Sequence, residues 1–241
     1  MGFIDLHVHT EYTKGNGISG IPDLVKRAKE FGMTALAITD SGTIKGFDKF
    51  KSECIKNDIK PIFGCGFYFA PLGLEKPETH HLLLLAKGSV GFSNIEALSR
   101  YSRVDFELIS KYSEGVYCLT GGRGGVIDKP YLQGNSKLAL NNLTRLIDIY
   151  GSRLRLELQE NGVINLIKEL SDKYSIPMVV TGGSFYINKA DASRCNSLRR
   201  SNGNRELKGD SYYFRSEDDI RTLFKEFSSE VDESVFLGNM L

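Results

Sequence analysis

The four histidines of this 241-residue chain fall into two tight groups, His7/His9 and His80/His81, at or just before segments of strand character. Residues two apart in a strand point to one side and lie roughly 6–7 Å apart. His7 and His9 would then present two imidazoles to one cavity, an arrangement suited to sharing metal ions. A lone H-x-H pair is also found as ordinary half-buried strand histidine, so its surroundings must decide. The next apolar run, Ala35–Thr39, ends at Asp40, which would face the same end of the fold. An aspartate there serves as a ligand or, just as readily, as a cap or turn residue.

The elements that must position these residues alternate in period. Phe3–Val8 reads as a strand and Ile21–Phe31 as a helix with Leu24, Val25, Ala28 and Phe31 inward. Ser19 or Gly20 would cap that helix, with Pro22 in its first turn. Strands follow at Ala35–Thr39, Lys60–Phe69, Leu82–Ala86, Val116–Thr120, Leu154–Leu158 and Met178–Thr181, giving seven in all. Helices are expected at Gly46–Lys56, Phe92–Tyr101, Lys137–Tyr150 and Val163–Tyr174. Such alternation predicts βαβ units and a parallel sheet, as a barrel or a doubly wound open sheet. In a parallel barrel His7 and His9 sit at the carboxyl end of the first strand, where ligands are normally mounted. The expected organisation is one domain over 1–241, with a barrel to about residue 190 and an extension beyond it. Within that extension, Ser216 and Asp219 form a capping box opening a helix, and a last short helix lies near Val231–Leu241.

A net charge of +1 supplies no global field to attract nucleic acid, so any anion binding must be local. Cys54, Cys65, Cys118 and Cys195 form no C-x-x-C pair and read as buried thiols. MGFIDLHVHT lacks the basic start and apolar core of a signal peptide, and no window approaches a membrane span, so the expectation is a cytoplasmic protein. GGRGG at 121–125 reads first as a turn requiring positive φ and second as a phosphate-binding nest. The basic stretch Arg194–Lys208, broken by Glu206, reads as a solvated loop with weak or no direct nucleic-acid binding.

The motifs FIDLHVHTEYT, GISGIPDLVKRAKEFGMTALAITDSGTIKGFDKF, IKPIFGCGFYFAP, HLLLLAK, SEGVYCLTGG, LELQENG and IPMVVTGGSFYI follow one another along the chain, with GDSYYFRSEDDIRTLF in the tail. In order and spacing they resemble the PHP domain of the bacterial DNA polymerase III alpha subunit. The resemblance implies a distorted seven-stranded (β/α) barrel with a short helical tail. Intact members of the family hold up to three metal ions on nine ligands and hydrolyse phosphoesters. By that resemblance His7, His9 and His81 stand at ligand positions. Asn16 stands where the family has aspartate, Ser41 where it has the histidine of T-D-H, and Gly66 where it has glutamate. Gly122 replaces a cysteine, Gly183 an aspartate and Phe185 a histidine.

Two-metal hydrolysis needs carboxylates that hold ions about 3.5–4 Å apart, which glycine and phenylalanine do not provide. The resemblance therefore implies a remnant metal site on His7, His9 and His81, with Asp40 a weaker candidate. It implies no catalytic residue and no resident cofactor, or at most a single Zn, Mn or Fe ion. The sequence has no D-x-D, so DNA synthesis by these residues alone is not expected. The leading expectation is a non-catalytic replication module whose partners are replisome proteins, such as a polymerase core or a proofreading exonuclease. The alternatives are a weak metal-dependent phosphoesterase, or a small-molecule phosphate binder using the glycine loops at 121–125 and 182–183.

Overall fold

A computed structural model describes residues 2–70, 78–160 and 162–241. Six strands form one curled sheet in sequential order: β1 (Ala35–Ile38), β2 (Lys60–Phe69), β3 (His80–Ala86), β4 (Val116–Leu119), β5 (Leu154–Leu158) and β6 (Met178–Val180). Around it lie α1 (Ile21–Glu30), α2 (Phe47–Lys56), α3 (Gly88–Leu98), α4 (Phe106–Lys111), α5 (Asp128–Leu132), α6 (Ser136–Tyr150) and α7 (Ile164–Tyr174). The tail adds α8 (Ala192–Ser201), α9 (Glu217–Leu223) and α10 (Ser228–Met240).

Two expectations need correction. The sheet is mixed, because β3 runs antiparallel to both β2 and β4 while the remaining pairs are parallel. Only ten residues, 70–79, separate β2 from β3 in the sequence, fewer than a parallel crossover takes, so β3 returns in the opposite direction. Phe3–Val8, expected as a seventh strand, is buried and extended but forms a single bridge, Val8 to Ser184. Its ladder is interrupted because two of its amides donate to side chains, His7 N to Asp5 Oδ1 (3.1 Å) and Val8 N to Thr39 Oγ1 (2.7 Å). The segment still lies between the two sheet edges. Asp5 O and Val8 O accept from Ala37 N and Thr39 N on one side, while His9 N donates to Ser184 O on the other.

Strand alternation divides the core. Leu36, Ile38, Leu82, Leu84 and Leu156 join the larger apolar cluster with the helices, whereas Ala35, Ala37, Leu83, Leu85, Ile4 and Leu6 form a second cluster. Val235 and Leu237 of α10 enter that second cluster, Ser234 Oγ donates to Val180 O (2.7 Å), and Lys60 Nζ at the start of β2 donates to Asn239 O (2.8 Å). Helix α10 thus packs against β6, β1 and the start of β2. The Ser216/Asp219 capping box opens α9 as expected. The basic stretch expected as a loop is half helix, since α8 carries it to Ser201.

Candidate site at the carboxyl end of the strands

His7, within the extended Phe3–Val8 segment, and His9, just beyond it, meet residues at the ends of the parallel strands. Because β3 is antiparallel, its first residues reach the same end, which brings His81 to the two other imidazoles. The His7 and His81 rings are parallel with centroids 5.8 Å apart, and His9 lies 5.0 Å from His7.

The strongest contact at this end joins His7 Nδ1 to Glu157 Oε1 at 2.6 Å, both residues being buried. Glu157 is the last polar residue of β5 and is fully enclosed. Its Oε1 also accepts from Thr181 Oγ1 (2.5 Å) and Gln159 Nε2 (2.9 Å), and its Oε2 accepts from Gly121 N (2.9 Å). Burial pushes the Glu157 carboxyl upward, but the His7 charge and these hydrogen bonds outweigh it and hold the carboxyl below its ordinary value. Burial likewise opposes charging of His7, and the Glu157 carboxylate overcomes it, raising the imidazole above 6.5. His9 is held well below its ordinary value by burial and then by the charges of His7, His81 and Arg199. Desolvation lowers His81 to about 4.

One arrangement of protons agrees with these directions. Charged His7 donates from Nδ1 to Glu157 and from Nε2 to His9 Nε2, 3.2 Å away. Neutral His9 then donates from Nδ1 to Thr13 Oγ1 (3.1 Å), and Thr13 donates to Asp40 Oδ1 (2.6 Å). The relay runs between two carboxylates and leaves no ring nitrogen of the pair unpaired. Asp40 therefore sits behind His9 rather than in the cavity. It also accepts from Thr10 N (2.6 Å) and Thr10 Oγ1 (2.7 Å), tying down the 10–13 turn. His80, the neighbour of His81, is buried with its Nδ1 lacking a hydrogen-bond partner.

The glycines of this end are occupied from outside. A Cβ on Gly66 would lie 2.5 Å from His81 Cε1, and Ser41 Oγ meets His81 Nε2 at 3.0 Å. A Cβ on Gly122 would lie 2.1 Å from Gln159 Oε1, and one on Gly183 would lie 2.6 Å from Gln159 Nε2. Gln159 fills the space above both glycines, each at positive φ (58° and 61°). Phe185 stacks on His9 with centroids 4.1 Å apart. Gly121 and Gly122 at positive φ make the 121–125 loop the turn expected of it.

Among the described residues, no group of three or more His, Cys, Asp or Glu side chains is arranged to hold a metal ion. The donor set does not fit a multinuclear centre, since His81 Nε2 is turned to Ser41 and the neighbouring glycines and Phe185 bring no donor. The structure brings His7, His9 and His81 together, and joins to them Glu157, Thr13 and Gln159, which the sequence did not single out. The available signal was the acidic residue in the otherwise apolar end of LRLEL, directly before a strand end on the ligand-bearing face.

A mixed α/β curl with its polar constellation at the carboxyl end of the strands defines a barrel-type α/β protein. The family model described as PHP domain matches residues 5–161, and the chain belongs to that family. It is 30% identical to the DNA polymerase III subunit alpha of Borreliella burgdorferi over 97% of its length and 31% identical to that of Treponema pallidum over 98%. It spans 23% of the length of each of these relatives. Among solved structures it is similar to a two-domain protein of Bacteroides vulgatus containing a predicted PHP-like metal-dependent phosphoesterase. That likeness has a TM-score of 0.55 at 12% identity and covers 91% of this chain and 62% of the other. No helix among the described residues is long and apolar enough to cross a membrane.

Proposed function

We propose that the chain is a non-catalytic PHP unit serving as a structural or docking module in DNA replication. His7, His9 and His81 are on this reading the remnant of a metal site, with Asp40 retained as a tether for the 10–13 turn. The observation that carries it is the saturated relay from Glu157 through His7, His9 and Thr13 to Asp40, which satisfies the imidazoles without an ion. The filling of Gly66, Gly122 and Gly183 by His81 and Gln159 supports it. All 241 residues act as one unit in the cytoplasm, with no cofactor. The similarity to polymerase III alpha subunits points to replisome partners, such as a polymerase core or a proofreading exonuclease.

A weak phosphoesterase with a single Zn, Mn or Fe ion is the rival. It draws on the two Nε2 atoms 3.2 Å apart, with each Nδ1 anchored as in metal-binding imidazoles. Metal content after chelator-free purification, paired with manganese-dependent phosphodiester hydrolysis, separates the two. Substoichiometric metal and no hydrolysis are expected. Near-stoichiometric metal that disappears in His7→Ala/His9→Ala would establish the rival.

A further inference from the structure

Ile55 (62% exposed), Phe236 (59%) and Val90 (49%) are among the most exposed large apolar side chains of the described residues, and all three belong to helices that meet at one groove. The groove, about 470 Å³ in volume, lies between α2, the start of β2 and α3, and Leu241 reaches it from the end of α10. Its base is aromatic, with the ring centroids of Phe47, Phe63 and Phe92 lying 5.0, 5.3 and 5.7 Å apart. Ile55 stands one turn beyond Lys51 on α2, and Val90 one turn before Ser93 on α3, so each shares a helix face with a residue lining the groove. None of the lining residues borders the cavity of about 500 Å³ over the histidines. Apolar surface gathered around a concavity marks an interaction site, whereas apolar residues exposed singly do not.

Phe236 is shaped to fill such a groove. Helix α10 buries Val231, Val235 and Leu237 and turns Phe236 outward. Met240, one turn further on, shares that face and accepts a hydrogen bond from Tyr117 Oη (3.6 Å), so apolar surface continues from Phe236 toward the groove at Leu241. Asp232, one turn before Phe236, is exposed, and every ionisable side chain of α10 (Glu230, Asp232 and Glu233) is acidic. The groove carries Lys51 and Asp48 on its rim. An acidic helix laid against it is drawn to Lys51 and turned away from Asp48, which fixes the direction of approach.

We propose that this face joins two copies of the chain about a two-fold axis, with Phe236 of each copy seated among Phe47, Phe63 and Phe92 of the other and Asp232 set against Lys51. A second copy is the fitting occupant because α10 presents both an apolar ring for the groove and the charge that its rim attracts. Projection and groove lie on one face, so a single two-fold operation fills both grooves and closes the assembly. A head-to-tail contact would leave one of each open and grow into a filament. Burial of the two rings supplies affinity, and the Asp232/Lys51 contacts supply register. The histidine end takes no part, so the inference stands apart from the replication reading.

Sedimentation equilibrium of the full chain, from about 1 µM to about 1 mM, tests it. A reversible equilibrium between monomer and dimer is expected. Phe236→Ser removes both inserted rings from the dimer and should raise the dissociation constant about a hundredfold or more. Ser89→Trp, which blocks the groove from the other side of the contact, should do the same, so the outcome does not hang on one variant. Lys51→Glu should weaken pairing about tenfold, and adding Asp232→Lys should recover most of that loss. Leu132→Ser, which removes a side chain 53% exposed on α5 and outside the groove, should change nothing. A monomer at every concentration, a dimer indifferent to both Phe236→Ser and Ser89→Trp, or polymers that lengthen with concentration would overturn the proposal.

Discussion

On the floor of the cavity His7, His9, Thr13 and Glu157 pair every side-chain polar atom they bring, whereas on its rim Arg199 keeps a shielded nitrogen with no acceptor. The floor comes from residues 5–13 and the strand ends, and the rim from the tail together with Tyr68, Arg123 and Lys129. A saturated network is rigid, whereas each enclosed polar atom left without a partner costs free energy. The difference teaches that the imidazoles, which draw the eye in the sequence, are tied into the packing, while the less conspicuous arginine above them still lacks a bond.

Breaking the floor should have the largest effect. Glu157→Gln removes the counter-charge of a buried imidazolium and should cost about 3–5 kcal/mol in urea unfolding. The pH dependence should change with it. His7, raised above 6.5 in the folded state, contributes stability that is full below pH 6.5 and lost as pH rises through its folded value. Glu157, held below 4.5, contributes stability that is present above pH 4.5 and lost as pH falls through its folded value. The pair should therefore contribute a stabilisation between these limits that the variant lacks, read as the difference between the two pH curves. A loss below about 1 kcal/mol would mean that the pair is not what closes the floor.

Asp5, directly beneath the relay, sharpens the comparison because it is the floor's own defect. Its Oδ1 accepts from His7 N and Gly182 N, but its Oδ2 is buried without a partner. Burial raises its carboxyl from 3.8 to about 6. The folded state then holds a proton more tightly than the unfolded chain, so this group's contribution falls as pH rises from about 4 to about 6. The whole change is up to about 3 kcal/mol. Asp5→Asn should flatten that slope, and an unchanged slope in paired denaturation curves would assign it to another group.

The glycine substitutions give an intermediate effect. Gly66→Ala places a Cβ against the His81 ring and should cost about 1–3 kcal/mol. Combined with His81→Ala, that cost should largely vanish, a coupling of about 0.5–3 kcal/mol in a double-mutant cycle. Additive losses would show that Gly66 serves the backbone rather than the imidazole.

The sequence made some of this legible and hid the rest for identifiable reasons. The 3.6-residue spacing of Leu24, Val25 and Ala28 and the Ser216/Asp219 box are local signals, and α1 and α9 form where they point. The reversal of β3 is legible in the ten residues, 70–79, which are too few for a parallel crossover, although the alternating pattern elsewhere points to uniform βαβ units. The failure of Phe3–Val8 to form a ladder depends on Thr39 Oγ1 and Asp5 Oδ1 capturing its amides, a choice visible only once β1 lies alongside. In the site, residue types at short spacing revealed the histidines. Glu157 and Gln159 meet His7 across about 150 residues, and no local pattern announces such a partner.

Ser41 is where floor and rim meet, and it should carry the smallest effect. Its Oγ is 3.0 Å from His81 Nε2, an imidazole that desolvation keeps neutral near pH 7. Ser41→Ala removes one neutral hydrogen bond, about 0.5–1.5 kcal/mol at most. Both residues are only half-buried, and His81 borders the cavity, so water should replace the hydroxyl and reduce the loss toward the lower figure. A loss above about 2 kcal/mol would mean that water does not reach Nε2 and that the sealed floor extends to β3.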